Sequence, residues 1–464
     1  MSVEIKETEK KNKLKTQEEI EKENSDLLAA FEKRPKPVMN KSKLEELKEK
    51  LLKKEIQNDG ESTMPEVITK QEVSINMAMI GVGQAGSRVA ESFHKLGYDV
   101  GVINTSSQDL AFIDVTPQQK LLLEGSLGGT GKDLNLGYQI FSQNEDKISE
   151  FISPIVDGND MIFLAISGGG GTGSSSVETM IGILSKTGMP IGVVYVLPKN
   201  SEDAQAKQNT VETMAKLSKL TYSNVISTLI VVDNARIETI YGGLSQAKFW
   251  EAANKAIVEP IHLFNSLTAQ PSKYTSLDPS DFGKIISCGD CSIYGILEEE
   301  NYMEETALAE SIIGSLKSNM LADGFDISQT RVGGVIIIGS EESINKLPAI
   351  NIDYALHMIS EQTNGASIFH GIYTDESVGD KIKIYSWFAG LGLPTSRIEN
   401  LKQESKLKAE VMANKEKQRS VSMNLDDEKD KTSNTVQDIH KKIAQKNSGF
   451  NRLQKGSIID KRKK

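Results

Sequence analysis

The sequence predicts an α/β protein in which a parallel sheet covered by helices is followed by a long central helix and a smaller α+β C-terminal domain. Three observations predict it. Between residues 74 and 243 short apolar runs alternate with helical patterns, the order that produces parallel strands joined by crossover helices. Several of those runs are apolar at every position, as strands covered on both faces are. Two glycine-rich turns, Gly81–Gly86 and Gly168–Gly173, each stand between such a run and a helical segment.

The elements follow in order. Residues 1–73 are dominated by Lys, Glu, Gln and Asn and hold too few apolar side chains for a core, so a mostly disordered arm is expected. Within it Leu44, Leu47, Leu51 and Ile56 mark an amphipathic segment over 42–57, either a transient solvated helix or a docking helix. Strands are expected at Ile75 to Ile80, Val100 to Asn104, Asp160 to Ile166, Ile191 to Leu197 and Val225 to Val232. The central helix should occupy 244–268, with Pro260 as a kink or break. The C-terminal domain, 269–398, should contain a short apolar element at Ile285 to Ser287, helices at Met303 to Ala322 and Tyr354 to Gln362, and strands at Val332 to Ile338, Ser367 to Tyr373 and Lys381 to Phe388. From residue 399 the polar composition returns, and a disordered charged tail ending in Asp460-Lys461-Arg462-Lys463-Lys464 is expected.

Composition excludes several functions. The 464 residues carry 54 Lys and Arg against 64 Asp and Glu, a net charge of -10, which argues against a protein that coats nucleic acid. No run approaches the roughly 18 to 20 apolar residues of a membrane span, and the first thirty residues lack an apolar signal core, so a cytoplasmic protein is expected. Cys288 and Cys291 form a single C-G-D-C without the second pair of a zinc site; they read as two small residues near a strand end, or as a redox pair. The five histidines are scattered, and no metal set is assigned.

The glycine turns carry the chemistry. Gly81-Val82-Gly83-Gln84-Ala85-Gly86 places backbone N–H groups and a helix N-terminus where a phosphate can sit. A dinucleotide-dependent oxidoreductase would also use such a turn, but it wants an acid about 20 positions on, and the second strand ends in Asn104-Thr105. Ser167-Gly168-Gly169-Gly170-Gly171-Thr172-Gly173-Ser174 adds a second loop able to wrap phosphates with N–H groups and hydroxyls. A Walker P-loop would place Lys before the Ser or Thr, and no Lys occurs here before Lys186.

Gly169-Gly170-Gly171-Thr172-Gly173-Ser174 resembles the signature of the tubulin/FtsZ superfamily, and its neighbours fall in that family's order from about Met77 to Leu393. Gly81 to Gly86 resembles the first phosphate loop, with Gly83, Gln84 and Ala85 as contacts. Asn104-Thr105-Ser106-Ser107-Gln108 resembles the second, with Ser106 where the family has Asp, and Gly129-Thr130-Gly131 through Gly137 the third. The resemblance implies a Rossmann-like GTPase domain binding GTP or GDP with Mg2+. It implies that Glu202 meets the ribose, with Ala206 in place of a basic partner and Lys207 beside it. Asn234 would read the guanine and Phe249 lie on it, while Ala253 stands where an acid is usual and Asn254 adjoins it.

Leu277-Asp278-Pro279-Ser280-Asp281-Phe282-Gly283-Lys284 resembles the family's loop that reaches the next subunit's nucleotide. Asp278 and Asp281 are the implied catalytic acids, with Lys284 where a second acid is usual. The resemblance therefore implies a homopolymer stacked head to tail that hydrolyses GTP at each contact, in cell division or in DNA or phage positioning. The altered loops and long arm favour a divergent, mobile-element form, and Lys284 and Ala253 leave room for a relative that does not hydrolyse. The basic end of the chain is a candidate contact for an adaptor that is DNA-associated or tethers the filament to membrane.

Overall fold

The computed structural model describes residues 72–125, 128–317 and 321–426. The expected helix over 42–57, most of the N-terminal arm and the basic C-terminal residues lie outside them. The body of the protein, through Lys406, is built on one ten-stranded sheet in the order β3-β2-β1-β4-β5-β6-β7-β10-β8-β9.

The first six strands are β1 (Met77–Val82), β2 (Asp99–Asn104), β3 (Lys120–Leu122), β4 (Met161–Ser167), β5 (Ile191–Leu197) and β6 (Thr228–Asp233), and all neighbours among them are parallel. Helices α1 (Gly83–His94), α2 (Ser107–Ala111), α3 (Leu134–Gln143), α4 (Glu145–Val156), α5 (Gly171–Ser185) and α6 (Ala204–Tyr222) connect them. The period of two along β1 sorts its side chains. Met77 and Met79 join Val89 and Phe93 of α1, while Ala78, Ile80 and Val82 join Phe141, Ile148 and Met180 from α3, α4 and α5. Burial on both faces explains why these strands read as unbroken apolar runs.

After β6 come α7 (Asn234–Tyr241) and α8 (Gln246–Leu267), which is continuous through Pro260. Beyond them lie α9 (Pro279–Ile286), β7 (Cys291–Glu299), α10 (Ala307–Lys317), β8 (Val332–Gly339), α11 (Glu341–Lys346), α12 (Ala349–Gln362), β9 (Ser367–Thr374) and β10 (Ile382–Leu391). β10 runs antiparallel to both β7 and β8, and β8 and β9 are parallel. The two halves of the chain share the sheet through two residue pairs only, Leu229 with Cys291 and Ile230 with Ser292.

Two expectations change, and one of two alternatives is disfavoured. Ile285 and Ile286 are not a separate element before the C-terminal sheet: with Phe282 they form the buried, i, i+3, i+4 face of α9, and the strand is β7. The tail expected to be disordered from residue 399 is helical as far as it is described, since α13 runs Thr395–Asp426. Ile398 and Leu401 are buried in the core, and this tertiary anchoring starts a helix that composition alone would not sustain. Leu407–Asp426, the described part of a second unit, is helical throughout. Finally, Cys288 and Cys291 are free, and burial pushes both thiols up, which disfavours the thiolate a redox pair needs.

No helix among the described residues is long and apolar enough to cross a membrane. Phe264 of α8, Phe282 of α9, and Trp387 of β10 form a buried aromatic cluster with centroids 5.6 to 5.9 Å apart. Phe282→Ala is expected to lower the stability of the body by about 3–5 kcal/mol, read from the urea midpoint, because it opens a cavity between all three elements.

Candidate functional site

At the carboxyl edge of β1, β2, β4, β5 and β6 the connecting loops surround a cleft of ≈ 360 Å³. α1 and α5 both open on it with a glycine, and no side chain caps either helix. Their first-turn N–H groups are thus directed at the cleft and suited to an anion. The helices after β5 and β6 are closed instead by Asp203 and Asp233, whose carboxylates accept from Ala206 N and Ala235 N. The anion-seeking end therefore lies between α1 and α5.

Close packing explains the glycines. Gly83 has φ +74°, and a Cβ there would lie 3.2 Å from Gly173 N; a Cβ on Gly171 would strike the Thr130 hydroxyl. Thr105 Oγ1 and Thr172 Oγ1, 2.8 Å apart, pin the second loop to the glycine loop. Asn104 holds its own turn, its Oδ1 accepting from Thr105 N at 2.8 Å and Ser106 N at 3.2 Å. Ser106, at the position expected to be acidic, caps α2, and Asp109 one turn on puts a carboxylate on the cleft wall.

The cleft brings together Gly83, Gln84, Ala85, Asn104, Thr130, Gly131, Gly169 through Gly173, Glu202 and Asn234. Glu202 accepts from Lys199 N at 3.0 Å, which fixes its loop against the glycine turn. Ser174 is not on the wall: its hydroxyl donates to Gly168 O at 2.6 Å and Ser167 O at 3.1 Å, bracing the loop from behind.

Phe249 is also off the wall. It and Ala253, one turn apart on α8, are buried in the core, whereas Trp250 lines the cleft and Asn254, one turn beyond it, is half-buried outside the wall. A step of one residue turns a helix face by about 100°, enough to exchange core for cleft. The Trp250 ring lies 4.9 Å from both the Arg88 guanidinium and the Lys199 ammonium. Sequence reasoning missed Trp250 and Asp109; the pair Trp250 and Asn254, at the same spacing as Phe249 and Ala253, was the available signal.

A purine nucleotide with its phosphates fits these donors: uncapped N–H groups at one end, an indole and an asparagine at the other. For a hard cation the wall offers the Ser106 hydroxyl and the Asp109 carboxylate, and no cluster of three or more His, Cys, Asp or Glu exists among the described residues to bind it alone.

Asp278 and Asp281 lie elsewhere. Trp250 stands near the start of α8, at the cleft, while Asn265 near its end receives Ile75 N at 2.9 Å, just before β1. The 22-residue helix, about 33 Å long, thus crosses the sheet from carboxyl to amino edge before the chain reaches α9. Asp278 caps α9, and the hydrogen bond from the Ser280 hydroxyl, with those from Asp281 N and Ser280 N at 3.0 Å, holds its carboxyl below the usual value. Lys284 Nζ donates to Asp281 at 2.8 Å, and this raises the lysine above its usual value.

Residues 76–242 match the model of the Tubulin/FtsZ family GTPase domain, and residues 264–402 that of the C-terminal domain of Tubulin/FtsZ-like protein TubZ-like. The tubulin-like protein CetZ of Pyrococcus furiosus is 29% identical over 306 residues, 64% of this chain and 80% of the relative. The tubulin-like protein TubZ of Bacillus cereus is 21% identical over 390 residues, 77% of this chain and 88% of the relative. Among solved structures, a GTPγS-form protofilament of Bacillus thuringiensis serovar israelensis TubZ shares the fold with TM-score 0.66 at 18% identity, covering 75% of this chain and 95% of that one. CetZ from Methanosaeta thermophila superposes with TM-score 0.59 at 21% identity, covering 80% and 99%. With a GTPase domain and a C-terminal domain of one family in order along the same chain, this protein belongs to the tubulin/FtsZ superfamily.

Proposed function

We propose that the chain is a GTP-hydrolysing filament former whose subunits stack head to tail, so that Asp278 and Asp281 of one subunit complete the nucleotide cleft of the next. The observation that carries this reading is the separation of the two halves: the cleft lies at the carboxyl edge of the sheet, and the two aspartates follow a helix about 33 Å long that leaves it. A contact between such unlike surfaces repeats without closing and makes a filament. In this reading the N–H groups of Gly83 to Ala85, Thr130, Gly131 and Gly169 to Gly173 hold the phosphates, and Glu202 meets the ribose. Asn234 reads the guanine, with Trp250 in the place expected of Phe249.

Mg2+ would be held beside the phosphates by Ser106 and Asp109 and would supply positive charge there. Asp281 takes the proton of a water that attacks the terminal phosphorus; the bond to the bridging oxygen breaks, GDP leaves with its electron pair, and phosphate is released. Asp278 fixes the first turn of that helix. A second reading, binding without turnover, is favoured by the Lys284–Asp281 ion pair, which occupies the proposed base. The filament would serve cell division or the positioning of DNA, with the basic C-terminal end engaging an adaptor. A partner captured by the full chain and lost when residues 450–464 are removed would support the adaptor; capture unchanged by that truncation would dismiss it.

Sedimentation and phosphate release, followed together with GTP, ATP and GTPγS, test the main reading. Sedimentable polymer is expected with GTP and GTPγS only, and Asp281→Ala should lower phosphate release by about 10² or more while polymer persists. Assembly without release in the unaltered protein would establish the second reading; neither assembly nor GTP binding would remove both. Lys284→Ala should raise release severalfold, because it frees Asp281; an unchanged rate would clear the lysine of any restraining role. Trp250→Ala should weaken GTP binding by about 1–3 kcal/mol, the worth of a base stacked on an aromatic ring, whereas Phe249→Ala should act on stability. Equal affinity in the tryptophan variant and the unaltered protein would return the base platform to another side chain.

A further inference from the structure

The first three turns of α13 are tied by charge to both loops that carry the base and ribose contacts. Arg397 donates from Nε to Asp233 Oδ2 at 2.6 Å and from Nη2 to Asp233 Oδ1 at 3.3 Å. Both side chains are nearly removed from solvent, at 8% and 5% exposure. Asp233 Oδ1 also accepts from Ala235 N at 3.1 Å, capping the helix whose first residue is Asn234. One carboxylate therefore fixes the start of α7 and receives the guanidinium from α13.

The second tie runs to the Glu202 loop. Arg397 Nη1 stands 3.7 Å from Glu404 Oε1, and Glu404 accepts through its other oxygen from Lys207 of α6. Lys207, 1% exposed, donates also to Asn200 O at 3.1 Å, two residues before Glu202. Ser405 Oγ adds a hydrogen bond to Ala204 O at 3.2 Å. The cation next to Ala206 thus faces α13, where it braces the loop from outside the cleft.

We infer that Arg397 and Glu404 are positioning residues for the nucleotide: they hold the Asn234 and Glu202 loops at their working spacing, so that nucleotide affinity and the seating of α13 are coupled. Buried ion pairs are a weak source of net stability, but they select one geometry, and removing a partner leaves the other charge free to draw its loop elsewhere. Coupling of this kind is reciprocal, so a bound nucleotide steadies the first turns of α13 by the factor by which α13 strengthens binding. The inference rests on the reading of the cleft as a guanine-nucleotide site.

The test uses the full chain with GDP and with inosine diphosphate, which lacks the guanine amino group, in calorimetric titrations of Arg397→Gln, Glu404→Gln and Arg397→Lys. The two glutamine variants are expected to lose tenfold or more in GDP affinity and to narrow the preference for GDP over inosine diphosphate; the lysine variant should recover part of both. In the unaltered protein, GDP should slow amide hydrogen exchange across residues 398–405. Variants that melt earlier yet keep the same affinity and the same preference would show a merely structural tie and overturn the inference. If Arg397→Gln does not fold, the exchange measurement decides, and protection unchanged by GDP overturns it. An unaltered protein that binds no GDP would remove the nucleotide reading and this inference together, whereas binding that the variants leave intact removes the inference alone.

Discussion

The first N–H groups of a helix have no carbonyl partner within it, and the site is organised by leaving two such sets unanswered on the same side of a sheet. The N-cap residues of α1 and α5, Val82 and Gly170, carry no accepting side chain, and both helices begin on glycines, whose lack of a side chain leaves the approach of a ligand open. A parallel sheet delivers every β-to-α turn to its carboxyl edge, which is why glycine loops more than eighty residues apart in sequence meet there. The capped starts of α6 and α7 mark the contrast: where Asp203 and Asp233 answer the N–H groups, the wall presents the side chains of Glu202, Asn234 and Trp250 instead.

The same directional logic separates the cleft from α9 and its two aspartates. α8 carries Trp250 at the cleft and Asn265 at the opposite edge, and the aromatic cluster of Phe264, Phe282 and Trp387 locks its far end to α9 and β10. Ten strands in one sheet make this spacing rigid although β6 and β7 pair over only two residues, because α8 packs in one core with side chains from both halves. Tyr294 of β7, buried, donates to Ile257 O at 2.8 Å and adds a direct tie between that helix and the C-terminal strands. A filament built from such subunits would have its contact geometry set by the length of one helix.

Much of this was legible in the sequence because the governing signals are local. Unbroken apolar runs with glycine punctuation identify β1, β2, β4, β5 and β6 to within a few residues, and the order of glycine loops identifies the cleft. Less local features escaped. β3 is three residues long and β7 is half exposed at its far end, so neither carries a strong pattern. α13 looks polar throughout, and its first turns are helical because Arg397, Ile398 and Leu401 find partners in the body, that of Arg397 lying 164 positions away.

The placement of Phe249 in the core and of Trp250 on the cleft wall shows the same limit at the scale of one side chain. Both residues are aromatic, both lie in the first turns of α8, and spacing to the next polar position cannot choose between 249 with 253 and 250 with 254. What chooses is helical phase, and phase is set by the core that α8 must cover: Phe249, Ala252, Ala253, Ala256, Ile257 and Ile261 together form its buried stripe. Ala253 is then a small residue in a packed interior, and the half-buried Asn254 lies one turn beyond Trp250. A residue that looks lost from a site when counted along the chain becomes, once the buried face is known, one that the core claims.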